Sequence, residues 1–247
     1  MYGVTDRSSP LTYPYHPSKI RLNTIGGDKW QNAGEWIEWS FTVKNAGLYR
    51  ISFKSRQNLV SNSFTSRQIL LDGEEICQET NAVEFNYSSD WNLVTLGNGE
   101  EDYLFYLSEG EHTIRMVAIL GEVGEILKEA ENIISEYNAI YRDILMLTGS
   151  TPDTNRDYQF EKIIPDTLEN LKTQTARLQA VSDRIKEIYG SQAGEQTSEI
   201  ESLLYVSEQI NEDSEQIKER FTLFKDNIAA MGTWINDMRE QPLALDY

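Results

Sequence analysis

The sequence predicts a protein of two parts in the α+β class: a β-sandwich of the jelly-roll type, followed by an antiparallel bundle of three helices. Two observations lead to this prediction. In the first half, short stretches of alternating apolar and polar residues are separated by turn signals at intervals of about 8–12 residues. From Gly121 onwards, apolar residues recur at three- and four-residue spacing, which is typical of amphipathic helices.

The clearest β pattern lies between Glu35 and Phe53. Two alternating runs flank the segment Lys44–Gly47, whose Asn and Gly favour a tight turn. The pattern predicts a β-hairpin. Trp39 shares one face of the first run with Ile37 and Val43, so packing in the core and contact with a ligand are both open for it.

The remaining strands and helices follow from similar signals. Strands are expected at residues 67–71, 74–80, 102–107 and 112–119, with a turn at Asp72-Gly73 and a short early strand at residues 19–25. The first helix should run for about 25 residues to Gly149. Capping boxes at residues 166–169 and 198–201 should open the second helix, which ends at Gly190, and the third, which ends near residue 231.

The chain is acidic, with 247 residues and a net charge of −18. Residues 1–120 hold 10 Lys and Arg against 15 Asp and Glu, whereas residues 121–247 hold 12 against 25. This balance argues against nucleic acid or an anionic membrane surface as a partner. No apolar stretch is long enough for membrane insertion, and one cysteine, Cys77, rules out an intrachain disulfide.

Catalytic residues are not indicated by the sequence. There are two histidines, His16 and His112, and no Ser-His-Asp or Cys-His arrangement with supporting spacing can be proposed. We therefore expect a protein that is not an enzyme and that has no organic cofactor.

Several features between about residues 20 and 120 resemble, in order, the galactose-binding-like jelly rolls of carbohydrate-binding module families 6 and 35. They are AGEWIEWSFTVKNAGLYRISFKSR at residues 33–56, the strand into Asp72-Gly73, Trp91 after an Asn/Ser loop, and YLSEGEHTIR at residues 106–115. The resemblance implies this fold and a glycan as the ligand.

The end of the chain matters for the domain organisation. Modules of these families finish with a Leu-Asp-Tyr-Ile strand, which Leu245-Asp246-Tyr247 matches about 125 residues after the preceding strand motif. The resemblance therefore implies one domain at residues 1–120 plus 240–247, with the helical bundle inserted at 121–239. Two domains in tandem are the alternative.

The overall arrangement also resembles the N-terminal regions of large secreted proteins of Clostridia, some of which are solute-binding components of sugar transporters. It implies an extracellular or cell-surface fragment of a larger protein, with the other domains of that protein as partners. Both ends fit an excised piece: Met1 precedes no signal peptide, and residues 243–247 read like an interrupted strand.

The resemblance also points to individual residues. Trp39 and Trp91 match the two aromatic residues that sandwich a sugar in family 6. The family Asn that binds the sugar is replaced by Ala244, and Arg56, Asn58 and Asn62 are candidates to supply the polar contacts. Tyr87 lies in the same irregular region as Trp91. An alternative function is a structural or protein-interaction module that has lost sugar binding, which the replacement at Ala244 favours.

A structural calcium ion is present in many modules of these families. Asp246 matches the acidic ligand of the last strand, whereas Lys19-Ile20-Arg21-Leu22 stands where the first-strand acids should be. The resemblance thus implies one calcium ligand and lacks the others.

Overall fold

The computed structural model describes residues 7–190 and 193–246. The chain divides into two compact units, which are unit 1 (residues 1–121 and 239–247) and unit 2 (residues 122–238). The strands described lie in unit 1 and the long helices in unit 2. The predicted α+β class, a β-sandwich carrying a helical bundle, is confirmed.

Unit 1 is built from short strands in antiparallel sheets. The strands are β1 Thr24–Gly27, β2 Trp36–Val43, β3 Gly47–Tyr49, β4 Ser52–Arg56, β5 Phe64–Leu71, β6 Glu74–Glu75, β7 Val83–Asn86, β8 Asn92–Thr95, β9 Phe105–Leu107, β10 Gly110–Ile119 and β11 Leu243–Asp246. A four-stranded sheet has the order β1-β11-β4-β8. A five-stranded sheet has the order β2-β10-β5-β6, with β7 also paired to β5, and β3 pairs with β9.

The last strand, β11, lies between two strands from the beginning of the chain. Leu245 is opposite Ile25 on β1 and opposite Ser55 on β4. The chain therefore leaves the sandwich after β10, forms unit 2, and returns to complete the four-stranded sheet. Tyr247, the end of the predicted strand, lies outside the described residues.

The predicted hairpin between residues 35 and 53 is wrong. β2 pairs with β10, whereas β3 pairs with β9 and β4 pairs with β11 and β8. Neither Asn45 nor Gly47 has the positive φ that a two-residue hairpin turn requires. Asp72 and Gly73 do have it, at 54° and 83°, and they close the turn between β5 and β6.

The interior of unit 1 is formed by apolar side chains from both large sheets. They are Ile25, Trp30, Ile37, Ile51, Ile69, Phe85, Leu96, Phe105, Met116, Ala118, Leu243 and Leu245. Burial of this much apolar surface is the main favourable contribution to the stability of the sandwich.

Arg67 on β5 is fully buried beside this core. Its guanidinium lies 4.1 Å from the centroid of the Trp30 ring and donates hydrogen bonds to the carbonyl oxygens of Ser66, Trp30 and Gln241. Burial lowers the pKa of Arg67 to about 9, against the opposing effect of the Glu35 charge. Arg67 thus ties β5 to the segment through which the chain returns.

A second polar contact joins the β5–β6 turn to β10. Asp72 Oδ2 is 2.7 Å from His112 Nδ1, and Asp72 Oδ1 accepts a hydrogen bond from the Thr113 N–H. The hydrogen bond to Asp72 and that to the Ser108 carbonyl raise the pKa of His112. Desolvation opposes ionisation of Asp72, but the bonds from Thr113 and His112 outweigh it, and the pKa of Asp72 is lowered.

Among the described residues, unit 2 has four long helices and one short helix. They are α1 Val123–Thr148, the short α2 Phe160–Ile163, α3 Pro165–Tyr189, α4 Ala193–Glu212 and α5 Ile217–Met238. Antiparallel packing is evident from the contacts between helices. Glu129 and Asp143 on α1 bind Arg177 and Thr167 on α3, so that one helix ascends as the other descends.

The prediction of three helices is corrected to four because the third is interrupted at Asp213. The Asp213 carboxylate accepts a hydrogen bond from the Glu215 N–H and opens a 3₁₀ turn, Ser214–Gln216, that leads into α5. Glycines end α1 and α3 as predicted, at Gly149 and Gly190. The predicted capping boxes do not open their helices, since α3 begins at Pro165 and Ser198 lies inside α4.

The Asp72–His112 pair should make the stability of unit 1 depend on pH. Its contribution is complete below the ordinary imidazole pKa of about 6.5 and is lost as the pH rises through the raised pKa of His112. At the acid end it is lost as the pH falls through the lowered pKa of Asp72. We expect the urea concentration at the unfolding midpoint, followed by tryptophan fluorescence, to decrease as the pH rises above about 6.5.

His112→Gln should remove this part of the pH dependence. His16→Gln, at the other histidine, is the control and should retain it. A pH profile of His112→Gln that matched the wild type would contradict the assignment.

Asp213→Ala should destabilise unit 2 because it removes the cap of the 3₁₀ turn that leads into α5. The expected loss in the free energy of unfolding is about 0.5–2 kcal/mol, measured by urea denaturation and circular dichroism. Glu212→Ala removes the same charge from the neighbouring position without removing a cap, so it should cost less than about 0.5 kcal/mol. Equal losses in the two variants would show that the cap does not matter.

Candidate functional site

The outer face of the four-stranded sheet carries very small side chains at its centre. Leu243 and Leu245 are 1% and 2% exposed, so the residue between them, Ala244, points outwards. Its partners in the strand register are Gly26 on β1 and Arg56 on β4. This row of one glycine, one alanine and one arginine leaves room above the sheet.

A cavity of about 520 Å³, its open mouth included, lies over this row. Residues 7–9 form one wall, and Asn58 and Leu59 form another. Among the described residues, the lining contains two guanidinium groups, Arg7 and Arg56, and no carboxylate. Arg7 is paired with Asp28.

Gly26 is required by the geometry of the cavity floor. Its φ is +90°, and a Cβ there would lie 2.3 Å from the carbonyl oxygen of Leu243 and 3.1 Å from the ring of Trp30. A larger residue could not be added without separating β1 from β11. The absence of a Cβ at Gly26 therefore permits the close approach of β1 to β11.

Arg56 and Trp91 form an aromatic edge beside the cavity. Because Ser55 pairs with Asn92 in antiparallel register, Arg56 lies opposite Trp91, and its Cζ is 5.0 Å from the centroid of the indole ring. Arg56 Nε and Trp91 Nε1 are buried, and neither has an acceptor within the described part of the chain. A ligand oxygen that reached either group would gain a hydrogen bond that no protein group offers.

The other residues predicted for the site lie around the same edge. Asn58 is exposed on the cavity wall. Asn62 is exposed with a φ of 51°, on the loop that follows β4. Tyr87 is 44% exposed and forms a bridge with Gln57, at the start of that loop. Arg56, Asn58, Asn62, Tyr87 and Trp91 thus belong to one region of unit 1.

Trp39 lies elsewhere. It is on β2 of the five-stranded sheet, opposite Ile114, and packs partly buried against the interior cluster. Trp91 directly precedes β8 of the four-stranded sheet and lies on the same face of it as Leu93. Leu93 is 69% exposed and points outwards. The two indole rings therefore face different sides of the four-stranded sheet, and the sandwich of Trp39 and Trp91 around one sugar is not formed.

Asp246, the implied calcium ligand, is engaged by protein groups. Its Oδ2 is 2.9 Å from Lys54 Nζ, and its Oδ1 accepts a hydrogen bond of 2.8 Å from the Tyr13 N–H. An ammonium group thus occupies the place where a cation would have to bind. Within residues 7–190 and 193–246, no cluster of three or more His, Cys, Asp or Glu side chains is arranged to hold a metal ion.

Ser108, His112 and Asp72 are arranged in space like the Ser-His-Asp triad of a hydrolase. The spacing of these residues in the sequence did not indicate this arrangement. Ser108 Oγ is 3.4 Å from His112 Nε2, but the same nitrogen is 3.0 Å from the Ser108 carbonyl oxygen. A carbonyl oxygen can only accept, so the proton belongs on Nε2. A protonated Nε2 cannot take the proton of the serine hydroxyl, as a triad requires. The three residues act as a structural clamp.

Two residues that shape the site were missed from the sequence, Gly26 and Gln57. The Gly26-Gly27 pair directly after an apolar residue was an available signal for a close backbone approach. No comparable signal for Gln57 is present in the sequence, because its side chain binds main-chain groups of residues 59, 60 and 63, which every residue type has.

Substitution of Gly26 should test the close approach of β1 to β11. Gly34→Ala is a matched control, because Gly34 has the same φ of +90° and nothing within 4 Å of an added Cβ. The control should cost about 1–2 kcal/mol from backbone strain alone. Gly26→Ala should cost about 1–3 kcal/mol more in urea unfolding, because the new methyl group meets β11. Equal losses would refute the contact.

Comparison with known families gives a match for unit 2. Residues 125–240 match the model of the bacterial solute-binding protein 4-helix bundle domain, which covers just under half of the chain. The four long helices agree with the four helices in that description. No helix among the described residues is both long and apolar enough to cross a membrane.

Solved structures similar to the chain include two family 35 carbohydrate-binding modules. One, from Clostridium thermocellum, is 17% identical with a TM-score of 0.33 and covers 47% of this chain and 78% of its own. The other, from an environmental isolate, is 19% identical with a TM-score of 0.31 and covers 46% and 74%. A Paenibacillus sp. cycloisomaltooligosaccharide glucanotransferase is 20% identical with a TM-score of 0.33, and the match spans 48% of this chain and 15% of the enzyme.

One curated relative matches a smaller share of the chain than these structures do. The Saccharomyces cerevisiae protein "Lethal(2) giant larvae protein homolog SRO77" is 28% identical over 109 residues, and the match spans 40% of this chain and 11% of the yeast protein. The structural likenesses are too distant to support an argument about function. The match of residues 125–240 agrees with the resemblance to solute-binding proteins that the sequence indicates.

Proposed function

We propose that unit 1 binds a carbohydrate in the cavity on the outer face of the four-stranded sheet. The observation that supports the proposal is the combination of a small-residue floor, Gly26 and Ala244, with the Arg56–Trp91 stack at its edge. A sugar needs polar groups for its hydroxyls and an apolar or aromatic surface for its ring. Arg56 and Asn58 supply the former, and Leu59 and Trp91 the latter.

We infer further that the chain is a non-catalytic module of a larger bacterial surface protein or ABC-transporter solute-binding protein, placed outside the cell. The match of residues 125–240 to a bacterial solute-binding domain supports this context. The clamp geometry of His112 supports the absence of catalysis, because the imidazole is held as a donor on both sides. The partners would be a glycan and further domains of the parent protein.

Calorimetry on the full chain should test the proposal with four probes: isomaltotriose, xylotriose, mannotriose and galactose. We expect at least one to bind, and we expect Trp91→Ala and Arg56→Ala each to weaken it by about tenfold or more, which corresponds to ~1.4 kcal/mol. Tyr106→Ala is the control. It removes an aromatic ring that is 68% exposed, on β9, outside the site.

Two results would overturn the proposal. One is the absence of binding by any probe, extended to a glycan array. The other is equal weakening by all three substitutions. Either result would favour the alternative of a structural or protein-interaction module on the same fold.

A further inference from the structure

The loop that walls the cavity is folded around one buried side chain, Gln57. This residue is 2% exposed and follows Arg56 directly. Its Oε1 accepts hydrogen bonds from the N–H groups of Leu59 and Val60, both at 3.0 Å. Its Nε2 donates to the carbonyl oxygens of Val60, at 2.8 Å, and Ser63, at 3.4 Å. Both acceptor sites and both donor hydrogens of the amide are therefore used.

The main chain of Gln57 fixes the same loop to the segment that bears Tyr87. The Gln57 carbonyl accepts a hydrogen bond of 2.7 Å from the Ser88 N–H, and the Tyr87 N–H donates to the Ser63 carbonyl at 2.9 Å. Gln57 and Tyr87 form a parallel bridge. Both ends of the loop are thus held against residues 87–88.

The loop matters because residues 58–63 contain no regular secondary structure, yet they supply Asn58 and Leu59 to the cavity and carry Asn62. Ordering a flexible residue on binding costs conformational free energy. A binding loop that is ordered beforehand spares the complex this cost. The side-chain amide of Gln57 holds the loop in one conformation through its four hydrogen bonds to the main chain of the loop.

We propose that Gln57 is a positioning residue for carbohydrate binding. It holds loop 58–63 in the shape that completes the cavity, without itself contacting the sugar. The inference rests on the proposed function of unit 1 and adds to it the residue that preorganises the site.

Gln57→Glu gives a test with a specific pH signature. A carboxylate still accepts from Leu59 and Val60, but it places negative charge against the carbonyl oxygens of Val60 and Ser63, which need a donor. Protonation restores one donor. We expect the affinity for the tightest-binding of the four probes to fall about tenfold at about pH 7.5 and to recover towards the wild-type value at about pH 4.5.

Two variants complete the design. Gln57→Met removes all four hydrogen bonds and should weaken binding equally at both pH values. Gln68→Glu places the same new carboxylate on β5 of the other sheet and should leave the affinity unchanged at either pH. The charged and ionisable side chains on the adjoining segments, residues 54–63 and 87–90, are Lys54, Arg56, Tyr87 and Asp90, and the control retains all four.

A second measurement does not need a ligand. Amide hydrogen exchange of Leu59 and Val60 should be about tenfold faster in Gln57→Glu at about pH 7.5, while exchange within β10 stays at the wild-type rate. Faster exchange throughout unit 1 would mean that the variant is globally unstable, and Gln57 would then be a general structural residue.

The outcomes separate the two ideas. If the wild type binds none of the probes, the proposed function fails, and the role of Gln57 in binding fails with it. If the wild type binds a probe and Gln57→Glu binds it equally well at both pH values, only the positioning role is overturned. Loss of affinity in Gln57→Glu that does not recover at low pH would also overturn it.

Discussion

The antiparallel pairing of β11 between β1 and β4 is the interaction on which the rest of unit 1 depends. Without β11, β1 would have no partner in the four-stranded sheet, and β4 would be paired on one side only. The entropic cost of bringing back a strand after a long excursion grows slowly, by about 0.6 kcal/mol for each doubling of the loop. Unit 2 has a core of its own, so it adds little to that cost. Gln241 then secures the return, as its side chain accepts from the Ser66 N–H and its carbonyl from the buried Arg67.

The same strand creates the candidate site. The resemblance to carbohydrate-binding modules marks Ala244 as a lost polar contact, but in the structure that alanine provides the space. An asparagine there would project into the cavity from its floor, where Ala244 and Gly26 now lie side by side. The polar groups are instead on the walls, on Arg56 and Asn58. A small floor with polar walls is a different way to build a site, and under the proposed function it would let a ligand approach the sheet more closely.

Features that depend on the local residue pattern, such as strands and helix ends, were predicted from the sequence. Features that depend on contacts between distant segments, such as strand pairing, were not. Alternation identified β2 and glycines identified the ends of α1 and α3, because side-chain period and helix termination are local properties. Alternation does not say which strand pairs with which, so β2 and β3 were wrongly joined in a hairpin. It placed Trp39 on a face with Ile37 and Val43, and that face is the interior. The break at Asp213 had a signal, an Asp followed three residues later by Gln216, but a continuous apolar spacing outweighed it.

Asp246 matches a calcium ligand of the carbohydrate-binding modules that the sequence resembles, but in this structure it binds protein groups. In a calcium site its carboxylate would share a cation with other acids, yet the first-strand acids are absent and β1 begins only at Thr24. Lys54 supplies the positive charge instead, and its ammonium also binds the Leu11 carbonyl while Asp246 binds the Tyr13 N–H. A carboxylate between two such donors fixes residues 11–13 across β4 and β11. Residues 7–9, which precede them, form a wall of the cavity, so the Asp246–Lys54 pair holds the segment that directly follows this wall.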